Sequence, residues 1–201
     1  KLKNIFHYVK CSGMNSSDIV TGDGGFDYTL NFSNQELDSY SLIYSEVVMA
    51  LLLLKKGGTF ICKIFDILYL RTIKLLYILK KYFKYIYIVK PSMSRKTNSE
   101  KYIVCIEYTG YNYKIMNTLI HNFHKELPIK VPKLFVNKLN EFNNGYISEQ
   151  IFEIKRGVNM KKDDIIKYPS KKQIYVGERW CKQNDLEINM TFFKSRLIKE
   201  W

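Results

Sequence analysis

Apolar positions along the chain fall into short β-rich runs that alternate with longer stretches of helical spacing. Asp18 to Thr21 is a β-branched run that stops at Asp23, so it reads as a short buried strand followed by a turn over Gly22 to Gly25. Ser33-Asn34-Gln35-Glu36 has the S-x-x-E spacing of a capping box, and Tyr40, Ile43, Tyr44, Val47, Leu51 and Leu54 follow at intervals of three and four. A helix is expected from there to Gly57-Gly58, where glycine suits the left-handed position past a helix end.

Thr59 to Ile64 is again β-rich, with Lys63 near its end, and Ile67 to Phe83 has the spacing of a second helix. In that helix Arg71, Lys74 and Lys81 fall on one face, with Leu68, Leu75, Leu76 and Leu79 elsewhere. Two further strands, Tyr85 to Val89 and Tyr102 to Glu107, flank a polar loop from Pro91 to Glu100. This order predicts an α/β fold, a mostly parallel sheet with an antiparallel last strand and helices on both faces. Ligands of such sheets bind beyond the carboxyl ends of the strands, and Asp23 and Lys63 are both expected there.

After Tyr108 the pattern changes to asparagine, lysine and isolated aromatics, with helices expected near Tyr113 to Phe123 and Lys133 to Phe142. The expected organisation is therefore an α/β domain over residues 1–108 and a basic, mainly helical extension over 109–201. The extension holds seventeen basic and ten acidic residues and is a candidate surface for a protein partner.

Composition sharpens this picture in three ways. A chain of 201 residues, 46% hydrophobic, is long enough to bury a globular core. The formal charge of +13 is concentrated, because residues 55–101 hold twelve Lys/Arg against only Asp66 and Glu100. Such a concentration favours a polyanionic partner such as RNA, although a lysine-rich surface alone would look similar. Cys11, Cys62, Cys105 and Cys181 form no C-x-x-C pair, which points to a reducing compartment, the cytoplasm, rather than a disulfide framework or zinc ribbon. Charged residues break up the apolar stretch from Val47 to Val89, so no membrane segment and no membrane partner are expected. His121 and His124 lack companion ligands at metal spacing and read as helix surface, and Tyr175 to Trp180 receives no role.

Taken together, "DIVTGDGG", "LLKKGGTFICKIFD" and "KPSMSRKTNSEKYIVC" resemble the FtsJ-like ribose 2′-O-methyltransferases, including the cap-modifying enzymes of large DNA viruses. The resemblance covers about residues 15–108 and implies a Rossmann-like fold, S-adenosylmethionine as methyl donor and RNA as substrate, capped mRNA by the viral branch, with ribosomal or transfer RNA as the alternative. The family uses a Lys-Asp-Lys-Glu tetrad. Matched motif by motif, the aspartate falls on Asp23, the second lysine on Lys63 and the glutamate on Glu100. Asp23 and Gly24 would meet the cofactor, and Lys90, Ser94, Arg95, Lys96 and Ser99 would meet RNA. No segment corresponds to the first lysine or to the glycine-rich methionine loop. The chain is therefore expected to be the C-terminal part of a longer enzyme, inactive alone, the alternative being a degenerate, non-catalytic RNA-binding or scaffold subunit.

The residue types suit that chemistry. Removing a ribose hydroxyl proton needs a neutral amine, so a lysine base must drop by roughly three pKa units from ~10.4, at a cost of about 4 kcal/mol. A cation ~4 Å away supplies about that much at an effective dielectric of 20. Asp23 opposes the shift, so its expected role, with Glu100, is to orient Lys63.

Overall fold

The computed structural model describes residues 2–26, 34–91, 94–123, 125–159 and 171–187. It divides into two compact units, Lys1–Glu153 and Ile154–Trp201. In chain order the elements are α1 (Leu2–Ser12), β1 (Ser17–Gly22), α2 (Gln35–Leu53), β2 (Leu54–Ile64), α3 (Leu70–Tyr82), β3 (Phe83–Val89), β4 (Lys101–Tyr108), α4 (Tyr113–His121), α5 (Lys133–Val158) and α6 (Lys171–Gln183).

The four strands form one sheet in the order β1-β2-β4-β3. β1 and β2 pair in parallel, and β4 inserts antiparallel between β2 and β3. Three strands thus run one way and the last runs against them, the α/β arrangement expected from the pattern. Alternation along β2 and β4 sends Phe60, Cys62, Ile64, Ile103 and Cys105 into the core. There they meet α2, of which Tyr44, Val47, Val48 and Leu51 are fully buried, and α3 through Leu75, Ile78 and Leu79.

α4 and α5 also lie on this side, the Tyr44 hydroxyl donating to the Leu119 carbonyl at 2.7 Å and the Tyr77 and Phe135 rings meeting at 5.2 Å. The opposite face carries Ile19, Tyr85, Tyr87 and Val89, each 40% exposed or more. Helices on both faces, as the alternation predicts, are therefore not found among the described residues.

Both central helices are shorter than their periodicity implies, for reasons remote in sequence. α2 stops at Leu53, not Gly57-Gly58, because the amides of Asn15 and Ser16 take the carbonyls of Leu52 and Leu53 at 3.0 and 2.9 Å. Leu54 is extended, and the two glycines belong to β2, with Gly57 at φ +86. Ser33 of the expected capping box lies outside the described residues. Glu36 does not turn back to the helix start: its carboxylate accepts the amides of Leu68 and Tyr69 at 2.8 and 2.9 Å. Those amides are thereby capped, so α3 begins at Leu70 rather than Ile67.

The expected basic face of α3 is corrected in the same way. Lys74 is buried, paired with Glu126 and donating to the Leu127 carbonyl at 2.8 Å. Arg71 donates to the Leu37 carbonyl at 3.0 Å and lies 4.5 Å over the Tyr40 ring, whereas Leu68 is exposed. α3 is packed on several sides, which leaves little of it for solvent.

Candidate functional site

The carboxyl ends of β1 and β2 lie side by side, with Gly22 opposite Cys62 in the register. Asp23 is the next residue after β1, and Lys63 the next after Cys62. Their side chains meet: Lys63 Nζ stands 2.7 Å from Asp23 Oδ1 and also donates to the Asp23 carbonyl at 3.2 Å. The Lys63 side chain is 16% exposed, the Asp23 side chain 71%, so the pair has a sheltered amine and an open carboxylate.

Glu100 joins them from the other edge. Tyr102 is the cross-strand partner of Lys63, and its hydroxyl donates to Glu100 Oε1 at 3.3 Å. Burial lowers the Lys63 pKa, but the hydrogen bond and charge of Asp23, then the charge of Glu100, outweigh it and hold the amine above its ordinary value. Tyr102 is pushed up as well, first by burial and then by Glu100 and Asp23. The structure therefore brings Asp23, Lys63 and Glu100 to one place and favours ammonium there.

Gly24 has a different surrounding from the one expected of a cofactor contact. Its amide donates to Glu46 Oε1 of α2 at 2.9 Å, and a Cβ on it would lie 2.7 Å from Leu42 and 2.8 Å from Glu46. Gly25 is the more open neighbour, since a Cβ there would meet only Lys63 Nζ at 3.6 Å. Nothing in the sequence singles out Glu46. One acidic residue within an apolar helix reads as a solvent position, and only the packing shows that it reaches both strand ends.

The five loop residues expected to touch RNA divide in two. Lys90 Nζ donates to the Asn98 carbonyl (3.0 Å), Asn98 Oδ1 (2.8 Å) and the Glu100 carbonyl (2.8 Å). Burial, with Lys101 close by, pushes its pKa down. Ser99 is buried and donates to Gln35 Oε1 at 3.1 Å. Lys96 pairs with Glu149 of α5, whose neighbour Gln150 donates to the Thr97 carbonyl at 3.1 Å. Ser94 is half-buried and Arg95 exposed at the loop's outer edge.

The charge concentration is also partly met within the chain, at sheltered Lys63, Lys74 and Lys101 and at exposed Lys55, Lys84 and Lys96. These six of the twelve cations in residues 55–101 have carboxylate partners. Among the described residues no three His, Cys, Asp or Glu side chains gather as a metal site would, and no helix is long and apolar enough to cross a membrane. His121 Nδ1 pairs with the Asn117 carbonyl, His124 lies outside the described residues, and Tyr175 to Trp180 lie in α6.

The model of the FtsJ-like methyltransferase family matches residues 2–108 of the chain. A mouse protein named cap-specific mRNA (nucleoside-2'-O-)-methyltransferase 2 is 34% identical over 154 residues, which are 71% of this chain and 20% of that protein. The zebrafish protein of the same name is 38% identical over 118 residues, 58% of this chain and 16% of that one. A Trypanosoma cruzi protein named cap-specific mRNA (nucleoside-2'-O-)-methyltransferase 1 is 31% identical over 151 residues, 68% of this chain and 42% of that one. The chain thus spans less than half the length of each of these relatives. They are animal and trypanosomal, so the viral affiliation expected from the motifs has no support among them.

Proposed function

The chain belongs to the FtsJ-like methyltransferase family, and from that premise we propose that it carries the deprotonating half of an RNA ribose 2′-O-methyltransferase site, with capped mRNA as substrate. The observation that carries this reading is the Lys63–Asp23 pair at 2.7 Å, at the carboxyl ends of two parallel strands with Glu100 beside it. The names of the relatives support the cap as substrate class.

Lys63 is the general base. At neutral pH it is an ammonium held by Asp23, so it takes the ribose proton only after losing its own. Asp23 fixes the direction of the amine through both its carboxylate and its carbonyl, and Glu100 limits the amine from the opposite side.

The donor set suits a cationic methyl donor, because the Asp23 carboxylate is largely exposed beside an open glycine, Gly25. S-adenosylmethionine, held there by Asp23 and the backbone at Gly25, would supply the methyl group and a positive charge that favours the neutral amine. Arg95 and Ser94 meet the RNA backbone, Lys96 joins them by exchanging Glu149 for phosphate, and Lys90 and Ser99 keep the loop in shape.

Labelled methyl transfer from S-adenosylmethionine to capped RNA, by the full-length protein and its Lys63→Ala variant, tests this. The expected result is transfer by the wild type and a loss of at least about 100-fold in the variant. Equal transfer by both removes Lys63 from the chemistry. RNA binding without transfer by either points to a binding or scaffold subunit on the same fold.

A further inference from the structure

Glu46, in the middle of α2, reaches both strands of the site from the core side of the sheet. We propose that Glu46 is a positioning residue for the Asp23–Lys63 pair, its two carboxylate oxygens fixing the ends of β1 and β2 against each other and so setting where aspartate and lysine meet. The inference rests on the reading of Lys63 as the base.

One oxygen, Oε1, accepts the Gly24 amide at 2.9 Å, and the other, Oε2, accepts the Cys62 thiol at 3.3 Å. Those contacts flank the working residues in sequence: Gly24 follows Asp23, and Cys62 precedes Lys63. Successive strand residues face opposite ways, so Cys62 points down to α2 while Lys63 points to the other face. Glu46 therefore acts from beneath, through a backbone amide and a thiol that adjoin the charged pair in the chain.

Two glycines are shaped around this carboxylate. A Cβ at Gly22 would stand 2.8 Å from the Glu46 carboxyl group, and one at Gly24 would stand 2.8 Å from Oε1. A side chain at either position would push the ends of the Glu46 or Leu42 side chains away from the end of β1. The thiol is suited to donate, since burial and the Glu46 charge push the Cys62 pKa up and keep its proton on sulfur.

The titratable groups facing Lys63 are the carboxylates of Asp23 and Glu100 and the phenol of Tyr102, so the titration of its amine reports whether Asp23 is in place. That titration is read by carbon NMR of ε-labelled lysine in wild type, Glu46→Gln and Glu46→Ala, beside kcat and KM for methyl transfer to capped RNA. Glutamine keeps an acceptor for the Gly24 amide, whereas alanine removes both anchors.

Expected in Glu46→Ala is a Lys63 pKa that falls back toward the ordinary lysine value, and a kcat lower by roughly 10- to 100-fold with KM for RNA within about two-fold. Glu46→Gln, which keeps an acceptor for the Gly24 amide and loses the one for the Cys62 thiol, is expected between wild type and alanine. If the alanine variant does not fold, Glu46→Met, of similar volume and without an acceptor, makes the same comparison. A Lys63 titration unchanged in the folded alanine or methionine variant overturns the proposal, and so does a glutamine variant more defective than alanine. A shifted Lys63 in a protein whose wild type transfers no methyl leaves the positioning role standing and overturns the proposed function instead.

Discussion

Tyr102 donates its hydroxyl proton to Glu100 at 3.3 Å while sitting directly across the strands from Lys63. A phenol thereby ties the glutamate to the row that holds the amine. Burial, with Glu100 and Asp23 close by, raises its pKa and so favours the donating phenol. Tyr102→Phe frees the Glu100 carboxylate while keeping the ring. The expected outcome is methyl transfer lower by about three- to ten-fold, with an unfolding free energy in urea changed by no more than about 1 kcal/mol.

Asp23→Asn removes the charge that raises Lys63, so the Lys63 amine should titrate at lower pH than in wild type, as read by NMR. A lysine raised in the folded state stabilises fully below its unfolded pKa, and the contribution disappears as pH rises through the higher folded value. Wild type should lose this contribution only in strongly alkaline buffer, and Asp23→Asn should lack it throughout. Under the proposed function, the wild-type rate of transfer should climb with pH, about ten-fold per unit, until the amine is neutral in the complex.

Two stability effects test the fold around the site. Glu36→Ala strands the amides of Leu68 and Tyr69 at the start of α3 and should cost about 2–4 kcal/mol by urea unfolding. Lys74→Met keeps the buried stem but leaves the Leu127 carbonyl without its donor, for about 1–3 kcal/mol. The exposed end of that pair, Glu126, should be much less costly to replace with Gln.

Arg95 and Lys90 should separate in an RNA-binding assay. Arg95→Ala is expected to leave the melting temperature unchanged, weaken binding and reduce the salt slope by about one. Lys90→Ala loses three bonds that shape the loop, so it should lower protection of residues 94–100 against hydrogen exchange as well as affinity.

What the sequence made legible was whatever local pattern decides. β1, β2 and β4 show in β-branched runs, α2 in its three-four spacing, and Asp23 and Lys63 in their places at strand ends. What stays hidden depends on partners far along the chain. Nothing near Leu53 says that Asn15 and Ser16 will take its last carbonyls, and nothing near Ile67 says that Glu36 will cap the next helix. α5 runs to Val158, past the Phe142 expected, through Asn143-Asn144-Gly145. Asn143 is spent on the Ile67 carbonyl at 2.7 Å, a contact 76 residues away. α1 escapes a reading by pattern because, among its described side chains, Ile5 and Val9 alone are buried.

The sheet order has a consequence for how the molecule is made. Among the described residues β3 pairs only with β4, so when a ribosome has released Phe83–Val89 that ribbon has no neighbour to join. Asp23 and Lys63 meet as soon as β1 and β2 zip together, but β2 keeps a bare edge until Lys101–Tyr108 emerges and closes two seams at once. A nascent chain halted just before residue 101 would therefore lack two strands of the sheet rather than one.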